Sequence, residues 1–109
     1  MDGLEKVAFD IISNTGEARS ILMNIIKEVE KGNFDSYEEE YKKANDCLKT
    51  ASKVHLQLIS SEAQQKEVPF NLLLVHAEDQ MMAAELVRDL TEHIVHLNKE
   101  LYALKEDKK

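Results

Sequence analysis

Apolar residues recur at every third or fourth position through three long segments of this chain, and few residues interrupt them. The 109 residues include only three Gly and one Pro. Because β-sandwiches need turn residues every few positions, this scarcity favours long helices. Gly16, inside the first segment, either permits a close helix approach or is a tolerated local weakness. The length allows one domain, which we expect to span residues 1–109.

The spacing predicts three helices in an antiparallel up-down-up bundle, an all-α fold. The first spans about Leu4–Lys31 and stops at Gly32, where a left-handed backbone is easily adopted. The second spans about Ser36–Gln65 and should end before Val68, because a residue that precedes proline disfavours helix. The third spans about Phe70–Leu104, with the single proline near its start.

The third segment has more apolar residues than one helix face can hold. Its main stripe consists of Leu72, Val75, Ala83, Leu86, Leu90, Ile94, Leu97, Leu101 and Leu104. Other apolar side chains point elsewhere around its first half, namely Leu73, Leu74, Met81, Met82, Ala84 and Val87. A helix that is apolar on most sides is buried on most sides. We therefore expect the excess to form a subunit interface, with an overpacked core as the alternative.

Charge and composition exclude several functions. The 14 basic and 21 acidic residues give a net charge of −7, which disfavours nucleic-acid binding and a polybasic membrane anchor. The sequence has no secretory signal pattern and no apolar run long enough to span a membrane, so we expect a cytoplasmic protein. It has no glycine-rich phosphate loop and no GxSxG elbow. Cys47 has no evident base nearby, and we expect it not to be catalytic.

The most informative polar residues are His76 and Asp79, one helical turn apart in the third segment. Asp79 interrupts the apolar stripe, so its carboxylate should be protonated, hydrogen-bonded or metal-bound. A carboxylate near an imidazole can fix its tautomer, and a neutral ring nitrogen is a good phosphoryl acceptor. The alternative is that Asp79 accepts an ordinary hydrogen bond and that His76 is a partly buried histidine without chemistry.

The other histidines have weaker patterns. His55 falls on the apolar stripe of the second segment and could approach His76 across the core. His93 and His96, or Asp89 and His93, have spacings that a metal could use. Such pairs are frequent on charged helices, so we expect no metal there.

The run LLLVHAEDQMM at residues 72–82 joins an apolar stretch to a motif around His76. It resembles the third helix of the lactose/cellobiose-type enzyme IIA component of the bacterial sugar phosphotransferase system, where the pattern is close to V-H-A-Q-D-H-L-M. The run ISNTGEARS at residues 12–20 is similar to I-x-x-x-G-x-A-R-S in the first helix of the family. The turn GNF at residues 32–34 resembles the family's G-D-F. The resemblance extends from about Val7 to Leu104.

The resemblance implies a homotrimer of three-helix subunits that carries phosphoryl groups. His76 would accept the group on Nε2 from the histidine-containing phosphocarrier protein and pass it to a cysteine of enzyme IIB. Asp79 of each subunit would meet its symmetry mates around one divalent metal on the trimer axis, commonly magnesium. Uptake of a lactose- or cellobiose-type sugar would follow.

The chain departs from the family pattern near this site. Glu78 stands where Gln is usual and Gln80 where His is usual. In the second helix, Ser52 and His55 stand where the family has His and Gln. A negative charge at Glu78 should oppose phosphorylation of His76 unless Glu78 points away or is paired. The alternatives are a non-catalytic regulatory or scaffolding module of the same fold and, third, a metal-binding bundle that uses His93 and His96.

Overall fold

The chain forms three helices in an elongated bundle that measures 64 × 24 × 20 Å. A computed structural model describes residues 3–64 and 71–107, apart from the side chain at position 62. Within them lie α1 (Gly3–Glu30), α2 (Tyr37–Ala63) and α3 (Leu72–Asp107), and no strand. The all-α prediction is confirmed. The predicted helix break before Val68 and the predicted start at Phe70 lie outside the described residues.

Helix α1 is the centre of the bundle, because it packs against both α2 and α3, which contact each other much less. Two clusters of buried side chains follow its length. Near its start, Ile11 packs with Ala51 of α2 and Ala77 of α3. Further along, Leu22, which is 0% exposed, packs in a second cluster with Leu48 and Val95. From the first cluster to the second, residue numbers increase along α1 and α3 and decrease along α2. The helices therefore run up-down-up, as predicted.

The core face of α3 is not the stripe predicted from the sequence. The side chains of α3 that are buried in this chain are Leu74, Ala77, Met81, Ala84, Thr91 and Val95. The predicted main stripe lies mostly on the surface, where Leu72, Val75, Leu86, Leu90, Leu97, Leu101 and Leu104 are exposed. The prediction was wrong because α3 is apolar around most of its circumference, and small residues let α1 approach the other face closely. We call the exposed set, together with Met82, the α3 stripe.

The turn after α1 is built around Gly32, as its sequence predicts. Gly32 has φ of +86°, and the N–H groups of Gly32 and Asn33 donate to the carbonyls of Val29 and Glu28. These two bonds form a Schellman motif and satisfy carbonyls that the helix end leaves unpaired. Tyr102 of α3 donates its hydroxyl to the carbonyl of Glu30 at 2.8 Å, which ties this turn to the far end of α3.

Two glycine substitutions should change stability in opposite directions. A Cβ at Gly32 would lie 2.9 Å from the ring of Tyr102 and would require a left-handed alanine, so Gly32→Ala should cost about 1–3 kcal/mol. A Cβ at Gly16 would meet nothing within 4 Å, so the close helix approach considered for it is absent from this chain. Gly16→Ala should therefore stabilise α1 by about 0.5–1 kcal/mol. Urea denaturation of both variants checks this pair, and destabilisation by Gly16→Ala would contradict it.

Candidate phosphoryl-transfer site

His76 lies in the second turn of α3, whose start is set by Asn71. The Asn71 Oδ1 accepts hydrogen bonds from the N–H groups of Leu73 and Leu74, at 2.8 and 3.3 Å. This is an asparagine N-cap, the arrangement that most strongly defines a helix start. Asn directly before an apolar periodic run is the usual sequence signal of such a cap, and the predicted start near Phe70 did not make use of it.

The imidazole of His76 is exposed and borders an open depression lined also by Leu72 and Leu73, with a volume of about 430 Å³. Within residues 3–64 and 71–107, neither ring nitrogen has a hydrogen-bond partner or an ion pair. His76 therefore does not pair with Asp79 in this chain, in contrast to the cooperation considered from their spacing. An exposed imidazole whose nitrogens have no such partner can act as a nucleophile toward an incoming phosphoryl group.

Asp79 is exposed and lies within the α3 stripe. Its neighbours one turn away along the helix are Val75 and Met82, both exposed apolar side chains. In a single chain the side chain of Asp79 is therefore in contact with water. Burial of the stripe against other molecules would remove that water.

Glu78 packs against helix α2, where its Oε2 forms an ion-pair contact with His55 Nδ1. Their side chains are 25% and 27% exposed, and both contact atoms are buried. The prediction that His55 approaches His76 was wrong. Positions 76 and 78 lie about 200° apart around a helix, so α2 can contact only one of them.

The two motifs that carry the family resemblance meet in space. Gln80 of α3, one turn beyond His76, lines a cleft against α1. The facing residues of α1 include Gly16, Arg19 and Ser20, which belong to the motif at residues 12–20. The cleft has a volume of about 520 Å³ and contains two basic side chains, Arg19 and Lys27. Residues more than 50 positions apart in the sequence thus line one cleft, one helical turn along α3 from His76.

The remaining predicted positions are separate from this site. His93 is exposed on α3, and His96 Nε2 lies 3.7 Å from Glu100 Oε1 in an exposed pair. Ser52 is half-buried on α2. In the described parts of the chain, no three His, Cys, Asp or Glu side chains are grouped so that they could hold a metal. The hypothesis of a metal site at His93 and His96 therefore lacks a ligand set there. None of the described helices is long and apolar enough to cross a membrane.

Comparison with known proteins decides the family. A sequence profile described as "PTS system, Lactose/Cellobiose specific IIA subunit" matches residues 6–99. The chain belongs to this family. Among individual IIA relatives, the lactose-specific EIIA component of Staphylococcus epidermidis is 29% identical over 98 residues, which cover 90% of this chain and 94% of the relative.

Solved structures of IIA proteins are similar over nearly the whole chain. The cellobiose-specific enzyme IIA of Bacillus anthracis is 32% identical, with a TM-score of 0.90 over 94% of both chains. The chitobiose IIA protein of Escherichia coli, solved in complex with HPr, is 28% identical, with a TM-score of 0.78 over 94% of this chain and 99% of that one. The three-helix fold of this IIA subunit is therefore that of its family.

Cys47 of this IIA subunit lies half-buried on α2, where it packs against the core. Burial raises the pKa of its thiol, and the nearby carboxylates of Glu17 and Asp46 raise it further. A raised pKa keeps the sulfur as the unreactive thiol at neutral pH.

We predict that iodoacetamide alkylates Cys47 at pH 7.5 severalfold more slowly in the folded protein than in the urea-unfolded chain. The rate should continue to rise with pH beyond the range in which an ordinary thiol is fully ionised. Glu17→Gln should increase the rate at neutral pH, because it removes a negative charge that opposes the thiolate. Intact mass spectrometry over time measures both effects, and a folded rate equal to the unfolded rate would contradict the prediction.

Proposed function

We propose that this IIA subunit is a phosphoryl carrier and that His76 is its catalytic residue. The observation that carries the proposal is an exposed imidazole without a partner among the described residues, one helical turn before Gln80, which lines the cleft against the other family motif. Phosphoryl transfer requires little covalent chemistry from the protein beyond a positioned nucleophile and charge stabilisation. A capped helix supplies the positioning.

The reaction consists of two in-line displacements. The lone pair of His76 Nε2 attacks the phosphorus of the donor's phosphohistidine, and a P–N bond to His76 forms while the donor's P–N bond breaks. The donor imidazole keeps the bonding electrons. During this step the ring proton of His76 resides on Nδ1, which leaves Nε2 free. A cysteine thiolate of enzyme IIB then attacks the same phosphorus, so that a P–S bond forms and His76 is released.

The donor that fits this role is the histidine-containing phosphocarrier protein. The Escherichia coli chitobiose IIA relative was solved in complex with HPr, which supports a similar partner for this chain. The acceptor is enzyme IIB. The similar proteins are named for lactose, cellobiose and chitobiose, which supports a sugar of this kind as the one whose uptake the chain serves.

Phosphorylation of the purified chain tests the role of His76. With phosphoenolpyruvate, enzyme I and the phosphocarrier protein, the wild type should acquire one acid-labile phosphoryl group, seen by intact mass. His76→Ala should acquire none, because the nucleophile is removed. His96→Ala is the matched control and should be labelled as the wild type is, since His96 is an exposed histidine farther along α3.

An adduct on His76→Ala would contradict the assignment of the site. Transfer to enzyme IIB is checked by adding IIB to the labelled protein, where loss of label should require the IIB cysteine. If the wild type is not labelled while a known IIA protein in the same reaction is, the proposed role fails. The regulatory or scaffolding alternative, suggested by Glu78, Gln80 and Ser52, would then be favoured.

We also propose that three subunits assemble around the α3 stripe. Eight large apolar side chains along one face of a helix are more exposed apolar surface than a monomer usually shows. Leu72 and Leu97 are 74% and 64% exposed, so the stripe extends along most of α3. A threefold axis parallel to α3 would cover this stripe in every subunit, with the same surface contributed by each chain.

The same axis would bring three Asp79 carboxylates together, and like charges at close range cannot all ionise without a cation or shared protons. Carboxylate oxygens are the donors that Mg²⁺ prefers. Asp79 is the acidic residue within the stripe, with apolar neighbours on both sides, so the residues fit one divalent metal shared by three subunits. Its role there is structural, and it takes no part in phosphoryl transfer.

Asp79→Leu should remove the metal and keep the trimer. An apolar side chain fits a seam of leucines and removes the cost of burying three charges. Sedimentation should give a trimer for wild type and variant, and metal analysis should give one divalent ion per three chains in the wild type only. A monomeric variant would contradict the packing account. One metal ion per chain, retained in the variant, would favour a local site such as His93 and His96.

A further inference from the structure

Two of the residues that depart from the family pattern, His55 and Glu78, have ionisable side chains, and these side chains contact each other. Glu78 on α3 and His55 on α2 form one ion-pair contact, although 23 positions separate them in the sequence. The pair lies at the edge of a groove between the two helices, which is otherwise lined by Leu58, Ile59 and other apolar side chains. An unpaired carboxylate in such a setting is costly, so a donor from the facing helix is needed.

Glu78 is also close to His76, where phosphorylation would add negative charge. A phosphoryl group on His76 carries about two negative charges near neutral pH. Glu78 is two positions along α3 on the other side of the helix, so their side chains are separated by about the helix diameter, roughly 10 Å. At this distance a carboxylate still opposes a dianion unless a cation neutralises it. In a threefold assembly around the α3 stripe, the flank of one subunit that bears Glu78 also faces the flank of the next that bears His76.

We infer that His55 is a charge-compensating, positioning residue for phosphorylation of His76. Its imidazole holds the Glu78 carboxylate against α2, and in its protonated form neutralises that carboxylate. The negative charge at Glu78 then no longer raises the cost of forming the phosphohistidine. This inference rests on the proposed carrier function. It assigns His55 no contact with the phosphoryl group.

The test is a double-mutant cycle of wild type, His55→Gln, Glu78→Gln and His55→Gln/Glu78→Gln. The readout is the equilibrium ratio of phosphorylated to unphosphorylated protein against the phosphocarrier protein. His55→Gln should lower this ratio by about three- to tenfold, because it exposes the charge of Glu78. Glu78→Gln should not lower it. The double variant should match Glu78→Gln, since the loss of His55 matters only while Glu78 is charged.

Two further variants separate charge from packing. His55→Lys restores a cation beside Glu78 and should bring the ratio close to the wild-type value, although the imidazole shape is lost. His96→Gln is the matched control, because it breaks a similar His–Glu pair elsewhere on α3 and should leave the ratio unchanged. Circular dichroism and sedimentation of every variant establish that the fold and the assembly are retained.

The inference is overturned if His55→Gln is labelled like the wild type. It is also overturned if His55→Gln lowers the ratio by the same factor in the wild-type and the Glu78→Gln backgrounds. In both cases the carrier function stands. If His55→Gln does not fold, His55→Asn takes its place in the cycle with the same expected ratios, and the same two outcomes overturn the inference. If no protein in the set is labelled, wild type included, the proposed function and this inference fall together.

Discussion

The packing of α1 against both other helices is the constraint on which the rest of this molecule depends. Three helices share a core that is only as wide as a bundle measuring 24 × 20 Å across. Residues on the inward face of α1, such as Ile11 and Leu22, are fully buried. Helix α3 therefore contributes only one of its faces to the core. Its second apolar face is exposed within the described parts of the chain, and it is the surface around which we propose that subunits assemble.

The same helix separates three tasks by direction. Successive residues of a helix point about 100° apart, so closely spaced side chains leave it in different directions. His76 borders an open depression, Glu78 contacts α2, and Asp79 lies within the exposed stripe. The proposed nucleophile, an ionisable residue that contacts α2 and the proposed metal ligand thus lie within four positions of one capped helix. If His76 is the phosphoryl acceptor, this arrangement leaves its imidazole accessible while Glu78 is held against α2.

The sequence predicted most of the fold and the identity of the candidate nucleophile. The observed bounds of α1 and α2 lie within two residues of the predicted ones, because helical periodicity and the glycine stop are local signals. The motif around His76 indicated the candidate site, because its residues are adjacent in the sequence. The core face of α3 was predicted wrongly, since a helix with apolar residues on nearly all sides has no pattern that distinguishes its core face from an interface. The N-cap at Asn71 is also a local signal, because its side chain binds backbone N–H groups two and three positions further on.

Local periodicity determines where helices form, since the backbone hydrogen bonds of each helix link residues four apart. It also places His76 and Asp79 one turn apart on α3. Which side chains meet across helices depends on how each helix is rotated about its axis, and that rotation results from packing the whole core at once. The contact between His55 and Glu78 and the meeting of Gln80 with the first motif are of this kind. These contacts result from tertiary packing, because the spacing of residues within one helix does not indicate which residues of another helix they will contact.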